Sequence, residues 1–570
     1  MRIKISVFRF AAQLSKRAFN LFFNEFEIWL LISCVFIWYF LNIHGALSDD
    51  EVLKSVPAYD MVRGYGWYDH LEFGFLGHYI LGVGQLIFGR GEFGARLLIP
   101  FFAAGTVYIV YHIGRMLGNR IAGFFSAFFL STLNFFAKYA VAAFFDVPIA
   151  FFSTLLFYQT LLFQKTAKKW NLKSVEGTEN RCELIPKSLK RQCILLGVTS
   201  LCLFSVKYYT VYIILIPFFY LLILTKREGK KIFAKNSLFR YYFIALLLSF
   251  IILFFPFFVA PHPEPRDFEG PDFLLKLYHL PILGNLFFGM SYAAGSNVGH
   301  LASGHLVTVA GEIYRYPPFW TYFYWLFEIF GFIFTLIFYL FSFLAILQIL
   351  KRREVENLLL IFIFIPLILL SLQTVKFQRY IFLILPLIVV FTVTYLFNFL
   401  THLLRKEKSW KRALPFLVMI LLLSLEPSSG VYKSLSEPDI HLDSGYKDAA
   451  DYVELRYHQY INDWEKKGLD HKVVEPFVVV SWVAFVLEYY LPEGLNINLT
   501  RLDYGNESRV KIIQKDLSSG VIHLVVDYEK QRRYQDNPLF KYIRENCTIV
   551  KRISVPSYHG SDLLIFEPSF

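Results

Sequence analysis

Cysteine and charge are both scarce in this sequence. Only five of the 570 residues are cysteines, and no two of them form a Cys-x-x-Cys motif. This pattern indicates neither a disulfide framework nor a zinc ribbon. Charged residues make up 18% of the chain, below the roughly 25% that is typical of soluble domains. No repeat of roughly 20–50 residues is visible, so neither a solenoid nor a propeller is predicted.

The chain is instead rich in apolar residues. They make up 56% of the sequence, 63 of them are phenylalanines, and the mean hydropathy is +0.45. Phenylalanine is favourable in hydrocarbon, and soluble domains are only about half apolar. We therefore predict an α-helical membrane protein with several spans. The net charge of +12 is expected to lie in cytoplasmic loops rather than to indicate a nucleic-acid partner.

Several apolar segments are long enough, or nearly so, to cross a bilayer, which takes about 20 residues. They are 27–47, 95–117, 120–140, 147–164, 192–206, 208–225, 240–259, 319–349, 357–374, 378–400 and 413–426. We therefore predict about 11 spans, and up to about 13 if ambiguous segments also cross. The first run is too long for a cleavable signal peptide and is expected to remain as a span.

Basic residues determine the predicted orientation. Positive charge favours the cytoplasmic side of a membrane, and the basic clusters share one side only if residues 71–89 do not cross. That segment contains five glycines, Glu72 and His78, so we interpret it as helices lying in the outer interface. Residues 1–26 are then cytoplasmic, while 48–94 and 260–318 are outer loops.

The C-terminal part of the chain leaves the membrane pattern. Strand-like runs such as "PFVVVSW" and "VIHLVVDY" alternate there with helical runs such as "VAFVLEYYL". Such alternation is typical of an α/β domain. We therefore predict a transmembrane domain over residues 27–430 and a soluble α/β domain on the outer side over residues 431–570.

Acidic residues follow two of the predicted spans on the outer side. Asp49, Asp50 and Glu51 come directly after the first span, and Asp146 separates the third span from the fourth. Helix capping explains such acids without any chemistry, because carboxylates favour the first turn of a helix. A carboxylate at membrane depth is energetically costly, however, and often belongs to a functional site. Both interpretations are compatible with the sequence.

Several motifs together resemble one family of membrane enzymes. "SDDEVLKSVPAYDMV" (48–62), followed by "GHYILGVGQLIFGRGEFGARLLIP" (77–100) and "FFDVPIAFF" (144–152), resembles the N-terminal part of the GT-C glycosyltransferases. The branches concerned are the protein O-mannosyltransferases and the lipid A aminoarabinose transferase. "YPPFWTYFYWLF" (316–327) and "KFQRYIFLILP" (376–386) are similar to later parts of the same family. The resemblance covers roughly residues 25–400.

The resemblance implies an inverting glycosyltransferase. Such an enzyme moves a sugar from a polyprenyl (dolichyl or undecaprenyl) phosphate to a hydroxyl of a protein, lipid or glycan at the outer face of the membrane. Asp50 matches the family's catalytic base, which takes the proton of the attacking hydroxyl. Glu51 would orient this base or the acceptor, and Asp146 would position the acceptor or Asp50.

Positive charge is needed to stabilise the departing phosphate of such a donor. The candidates are Lys376 and Arg379, with Arg63, Arg96 and Arg315 behind them. The alternative for Lys376 and Arg379 is snorkelling of their long side chains to the interface.

The sequence departs from the family at the start of the interfacial helices, where the expected Lys-Pro or His-Pro-Pro is missing. His70 and His78, together with Asp69 and Glu72, are the candidates to replace it. In the large outer loop, His262 and His305 are the acceptor candidates, near Glu264, Asp267 and His300. Some relatives bind a divalent metal near the Asp-Glu pair. The spacing here follows no defined metal site, so hydrogen-bonding histidines are the favoured interpretation and no cofactor is assigned.

The sequence leaves two alternatives to an enzyme: a transporter or flippase, and a non-catalytic protein of the same fold. A transporter or flippase of lipid-linked sugars would also use acids within the membrane, but such proteins often contain inverted repeats, and none is visible. A non-catalytic protein of the same fold would have lost the acids, which are present. The sequence therefore favours an enzyme that acts on a lipid partner in the membrane.

Overall fold

The computed structural model describes most of the chain. The described residues are 25–43, 47–64, 74–175, 186–227, 237–254, 307–351 without 311, 357–403 without 374, 445–467, 475–502 without 493, 507–529, 537–555 and 562–569. The predicted span 413–426 and most of the outer loop 260–318 lie outside them.

Helices dominate the described part of residues 25–403. In chain order they are α1 (Phe26–Leu41), α2 (Asp49–Val62), α3 (Phe75–Phe88), α4 (Glu92–Arg96), α5 (Ile99–Leu117), α6 (Arg120–Thr132), α7 (Asn134–Ala140), α8 (Asp146–Val175), α9 (Lys187–Val206), α10 (Val211–Arg227) and α11 (Leu238–Leu253). A hairpin of β1 (Val307–Val309) and β2 (Glu312–Tyr314) precedes α12 (Thr321–Phe330), α13 (Phe332–Lys351), α14 (Asn357–Leu372) and α15 (Leu385–Leu403). Short 3-10 helices at Tyr208–Thr210 and Gln378–Leu383 lead into α10 and α15.

Local sequence signals explain several helix boundaries. The Asn119 side chain accepts a hydrogen bond from the Ala122 backbone N–H and caps α6, which satisfies a donor that the helix leaves unpaired. Pro100 lies in the first turn of α5, where its missing N–H is tolerated. Ser48 caps α2 in the same manner as Asn119 caps α6.

Five described helical segments are long and apolar enough to cross a membrane. They are Glu92–Leu117, Asp146–Lys168, Lys187–Val206, Tyr208–Thr225 and Leu385–His402. The pair α6 and α7, bent by 65°, makes a sixth if it forms one broken span, and five further apolar helices are shorter. The protein is therefore an integral membrane protein with several helical spans, and the number of about 11 stays a prediction.

One predicted span, 319–349, is divided in the structure, and the segment 71–89 contains one short helix. Residues 319–349, predicted as a single span, form two helices instead, because Gly331 with φ 81° separates α12 from α13. Glycine adopts this backbone conformation without strain. Within 71–89, α3 has 14 residues and is therefore about 21 Å long, short of the roughly 30 Å hydrocarbon core. Since α1, a predicted span, has only 16 residues, length does not distinguish the two cases, and the interfacial position of this segment stays a prediction.

The C-terminal part forms a small α/β unit, as predicted. Its elements are α16 (Tyr446–Lys466), β3 (Phe477–Ser481), α17 (Ala484–Tyr490), β4 (Ile497–Arg501), α18 (Glu507–Ser518), β5 (Leu524–Tyr528), α19 (Pro538–Asn546), β6 (Cys547–Ile553) and β7 (Leu563–Pro568). The strand order is β4-β3-β5-β7-β6. β3 is parallel to β4 and β5, whereas β7 is antiparallel to β5 and β6.

Helix packing brings separate parts of the chain to one place. α2 packs on α3, α3 packs on α9, and α8 contacts the 3-10 helix Gln378–Leu383. The short turn between α7 and α8 lies beside the start of α2, since the Ala143 backbone N–H reaches the Glu51 side chain. α17 of the C-terminal unit packs on α2. The domain boundaries at 26 and 430 stay predictions.

Candidate active site

The site begins at the N-terminus of α2, where Ser48 and Glu51 form a capping box. The Glu51 backbone N–H donates to the Ser48 hydroxyl at 3.3 Å, and the Ser48 backbone N–H donates to Glu51 Oε2 at 3.0 Å. Two backbone donors that the helix would otherwise leave unpaired are thereby satisfied. The capping interpretation of the acidic cluster therefore holds for Glu51.

Glu51 is also half of a buried ion pair with Arg96. Arg96 Nε and Nη2 donate to the two Glu51 carboxylate oxygens at 2.8 and 2.9 Å, and the Ala143 backbone N–H donates to Oε1 at 2.6 Å. Both side chains are at most 1% exposed. Burial raises the pKa of the Glu51 carboxyl, but the Arg96 guanidinium outweighs this and lowers the pKa below its usual value.

This pair changes how both residues are interpreted. Arg96 also donates to the Ile43 carbonyl at 3.2 Å, so its guanidinium joins the end of α1, α2 and α4. The contacts of Arg96 are with other parts of the same chain, whereas the sequence analysis proposes that Arg96 binds the donor phosphate. Glu51 fixes the start of α2, and its predicted role of orienting Asp50 or the acceptor stays a prediction.

Asp50 is the acid of the described site that reaches open space. Its side chain is 46% exposed, and Arg379 Nη1 donates to Oδ2 at 2.6 Å. Lys54 Nζ lies 3.9 Å from Oδ1. Local burial raises the pKa of the Asp50 carboxyl, but Lys54 and Arg379 together lower it well below its usual range. Asp50 is therefore ionised and accessible, as a base must be.

Asp146 is buried near the same place. It is the first residue of α8 and only 1% exposed. Among the described residues, none donates a hydrogen bond to its Oδ1 atom. It interacts electrostatically with Lys207 and Arg379. Burial of a carboxylate oxygen without a hydrogen bond is unfavourable, and the nearby cations Lys207 and Arg379 offset part of this cost.

Two lysines at this site are missed by the sequence analysis. Lys54 is 1% exposed, donates to the Asp50 carbonyl at 2.6 Å and lies 4.5 Å from the centre of the Phe144 ring. Lys207 is 6% exposed, in the one-residue gap between α9 and the 3-10 helix at Tyr208–Thr210. A lysine between two apolar runs, on the side opposite the basic loops, is a signal that could have identified Lys207.

Aromatic rings hold these cations in place. Lys207 Nζ lies 4.9 Å from the centre of the Tyr380 ring, and the Arg379 guanidinium lies 5.5 Å from the centre of the Phe144 ring. A ring face attracts a desolvated cation. Burial still lowers the pKa of Lys207 to about 7, while Asp146 opposes this shift.

The remaining predicted phosphate ligands face elsewhere. Lys376 is 2% exposed, and its ammonium donates to the Pro317 carbonyl at 2.9 Å and to the Gln373 carbonyl. Arg63 is exposed at the end of α2, 5.2 Å from the centre of the Tyr59 ring. Both stay predictions, and the geometry favours Arg379, Lys54 and Lys207 over them.

The predicted histidines divide into two groups. His78 is buried at 1% exposure, with its ring centre 5.1 Å from that of Phe145. It therefore packs against Phe145, and its role toward an acceptor stays a prediction. His70, His262 and His305 lie outside the described residues. Within the part of the chain that the structure describes, no group of three or more His, Cys, Asp or Glu side chains could hold a metal ion.

The described site has an excess of positive charge when Lys207 carries its proton. Three cations, Lys54, Lys207 and Arg379, face two carboxylates, Asp50 and Asp146. When all five are ionised, one positive charge remains at a place where two of the cations are at most 6% exposed. A buried charge is stable only when it is paired, so the arrangement suits a singly charged anion such as a phosphodiester.

Part of the chain matches one protein family, and its fold is similar to that of solved structures. Residues 73–175 match the family described as dolichyl-phosphate-mannose-protein mannosyltransferase. No curated protein matches the chain. Oligosaccharyltransferase from Archaeoglobus fulgidus, in the apo form, is similar with a TM-score of 0.57 and 13% identity over 88% of this chain and 69% of that one.

ArnT from Cupriavidus metallidurans is similar over nearly its whole length. Its apo structure gives a TM-score of 0.51 and 12% identity, covering 96% of this chain and 98% of that one. Its structure bound to undecaprenyl phosphate gives 0.51 and 11%, covering 94% and 97%. Both similar proteins are GT-C glycosyltransferases, so the chain has the GT-C fold and the resemblance seen in the sequence is confirmed.

Proposed function

We propose that this protein transfers a sugar from a polyprenyl phosphate to a hydroxyl acceptor at the outer face of a membrane, with inversion of the anomeric carbon. One observation carries the proposal: an accessible carboxylate, Asp50, lies beside a buried cluster with an excess positive charge. The first feature suits a base and the second suits a phosphate, and the reaction needs both. The similarity to a structure that holds undecaprenyl phosphate supports the same class of donor.

The donor phosphate is assigned to Lys207, Lys54 and Arg379. Its isoprenoid chain would remain in hydrocarbon, so that the sugar lies at the level of the α2 N-terminus. Charge-assisted hydrogen bonds from these cations would hold the phosphodiester and then the phosphate that leaves. The leaving group already carries negative charge, so it requires these cations and no proton donor.

The reaction itself is a single displacement. Asp50 accepts the proton of the acceptor hydroxyl while the oxygen of that hydroxyl forms a bond to the anomeric carbon. The bond from that carbon to the phosphate oxygen breaks, and its electron pair leaves with the polyprenyl phosphate. Asp146, which interacts electrostatically with Lys207 and Arg379, would keep these two cations oriented toward the phosphate and Asp50.

Arg379 connects the phosphate to the base. In the structure its guanidinium is hydrogen-bonded to Asp50, which lowers the pKa of that carboxyl and weakens it as a base. A phosphate that draws Arg379 away would raise the pKa of Asp50 again. The carboxylate would then be most basic when the donor is bound, which is when the acceptor hydroxyl has an anomeric carbon to attack.

A direct assay tests the function. The purified protein is incorporated into lipid vesicles with polyprenyl-phosphate-linked sugars and a panel of hydroxyl acceptors, and release of free polyprenyl phosphate is measured. Release that depends on an acceptor supports the proposal. Movement of the intact lipid-linked sugar between leaflets without any release would instead support the alternative, a transporter or flippase.

The outer location of the site is tested separately. Cysteines introduced singly as Gly520→Cys and Val175→Cys report on the C-terminal domain and on the predicted cytoplasmic loop. An impermeant maleimide added to intact cells is expected to label the first and not the second. Labelling of Val175→Cys, or protection of Gly520→Cys, would place the site on the other side of the membrane.

A further inference from the structure

The C-terminal domain contacts both of the segments that carry the buried Glu51–Arg96 pair. The first contact is at the start of α2, where the Leu47 backbone N–H donates to the Tyr490 hydroxyl at 2.6 Å. Leu47 is fully buried and directly precedes the capping residue Ser48. Tyr490, the last residue of α17, therefore holds the backbone at the position where the capping box begins.

The second contact is on the Arg96 side of the pair. Lys447, at the start of α16, donates to Glu92 Oε1 at 2.8 Å. Glu92 begins α4 and Arg96 ends it, so the two residues lie one turn apart on the same face. The Arg90 guanidinium, just before α4, lies 4.7 Å from the centre of the Tyr489 ring.

We propose that the C-terminal domain is a positioning element for the catalytic acids, with Tyr490 as its principal residue. The domain is hydrogen-bonded to Leu47 on one side of the Glu51–Arg96 pair and to Glu92 on the other. It therefore determines the position of Asp50. This proposal rests on the proposed function in assigning Asp50 as the base. Tyr490 touches no reacting atom and acts through the backbone of residues 47–51.

Loss of the Tyr490 hydroxyl removes its hydrogen bond to the backbone of the fully buried Leu47. Losing a buried hydrogen bond is unfavourable, so the first turn of α2 is expected to open more often. Lys54, Arg379 and Lys207 lower the pKa of Asp50. Asp50 would then spend less time beside these groups, and its pKa would rise. Transfer should slow, and its dependence on pH should change.

The experiment compares Tyr490→Phe with Tyr457→Phe. Tyr457 is a matched control, because its hydroxyl also accepts a backbone N–H, from Asn496 at 3.3 Å, but within the C-terminal domain. Hydrogen–deuterium exchange of the amides of residues 47–53 is measured in the full-length protein in lipid. Faster exchange is expected in Tyr490→Phe only. Unchanged exchange in Tyr490→Phe, or the same increase in both variants, would overturn the proposal.

Activity provides a second readout that loss of folding alone would not produce. In Tyr490→Phe, kcat is expected to fall about ten- to hundredfold, because small misplacement of a reacting group has effects of this size, while the KM for the lipid donor stays unchanged. The acid limb of kcat/KM should move to higher pH. A wild-type kcat and acid limb in this variant would contradict the proposal.

Charge reversal tests the second contact. Lys447→Glu alone is expected to lower kcat by less than about fivefold, as suits an exposed ion pair, and Glu92→Lys added to it should restore the activity. If the double variant is no better than Lys447→Glu, the contact between Lys447 and Glu92 plays no part in positioning. If the wild type transfers no sugar at all, the proposed function fails, and the exchange experiment alone still decides whether the C-terminal domain positions the start of α2.

Discussion

The two ends of α1 carry clusters of charged residues that differ in burial and in charge balance. Before α1 and in its first turn, Glu25 is paired with Arg115 and Glu27 with Arg120, and these arginines are 45% and 55% exposed. Beyond the other end of α1, Lys54 and Arg379 are only 1% and 14% exposed. With Lys207, they outnumber the two carboxylates that they face.

The difference indicates what each cluster does. Arginines that are about half exposed and paired with carboxylates are largely solvated and already neutralised, so that cluster can anchor helix ends without binding anything. Buried cations in excess are unfavourable in an empty site, and a bound anion removes the imbalance. Clusters of similar composition therefore differ in function, because burial and charge balance differ.

The largest expected effect is that of Asp50→Asn. The amide keeps the shape of the side chain but removes the charge and the basic oxygen, so turnover should fall about 10²- to 10⁴-fold, as for loss of a positioned base. The melting temperature should stay near that of the parent. Asp49→Asn is the neighbouring control and should cause a much smaller loss. Equal losses in both variants would mean that the base lies elsewhere.

The sequence analysis identifies Asp50, Asp146 and Arg379, and the structure brings these three together although they are far apart in the chain. The two acids are conspicuous in the sequence because carboxylates at membrane depth are rare. The ion pair between Arg96 and Glu51 is not predictable, because nothing local shows that residues 45 positions apart are partners. The sequence analysis misses Lys54, since a lysine four residues after an acid is typical of a solvated helix pair.

The fold is predicted more completely than the site. Apolar runs identify the helices, and alternation identifies the C-terminal α/β unit. The division between α12 and α13 is missed, because glycine is common in membrane helices and the left-handed backbone of Gly331 is a property of the folded chain. Which helices are adjacent depends on side-chain packing, which hydropathy does not report.

The second prediction concerns stability. Arg96→Met would leave Glu51 buried without its cation and should destabilise the protein by about 3–5 kcal/mol, as is usual for a broken buried pair. The melting temperature of the purified protein in lipid checks this. Arg96→Met with Glu51→Gln should recover part of the loss, because no isolated charge remains. An unchanged melting temperature in Arg96→Met would show that the pair is not buried.

The third prediction concerns pH. The protonated form of Lys207 is the one that attracts phosphate, and burial lowers the pKa of this residue to about 7. Donor binding should therefore weaken as the pH rises through and above about 7, where Lys207 loses its proton. Lys207→Arg stays charged and should bind with little dependence on pH in this range. Binding by the wild type that is flat or tightens with rising pH would exclude a role for the lysine proton.

The smallest expected effect is at the exposed cluster. Arg120→Met removes one partner of the more exposed pair, whose side chains are 55% and 30% exposed, so stability should change by less than about 1 kcal/mol and donor affinity should not change. Thermal melting and lipid binding are measured on the same sample. A large loss of donor binding here would remove the distinction drawn between the two ends of α1.

Binding of a polyprenyl phosphate to the purified protein tests the central claim most directly, because it requires no acceptor and no turnover. The dissociation constant is measured for the wild type, for Lys207→Met and for Arg120→Met in lipid nanodiscs. Lys207→Met is expected to bind about ten- to hundredfold more weakly, the usual value of a charge-assisted hydrogen bond, while Arg120→Met binds like the wild type. Equal affinities in all three proteins would contradict the assignment of the buried cation cluster to the lipid phosphate.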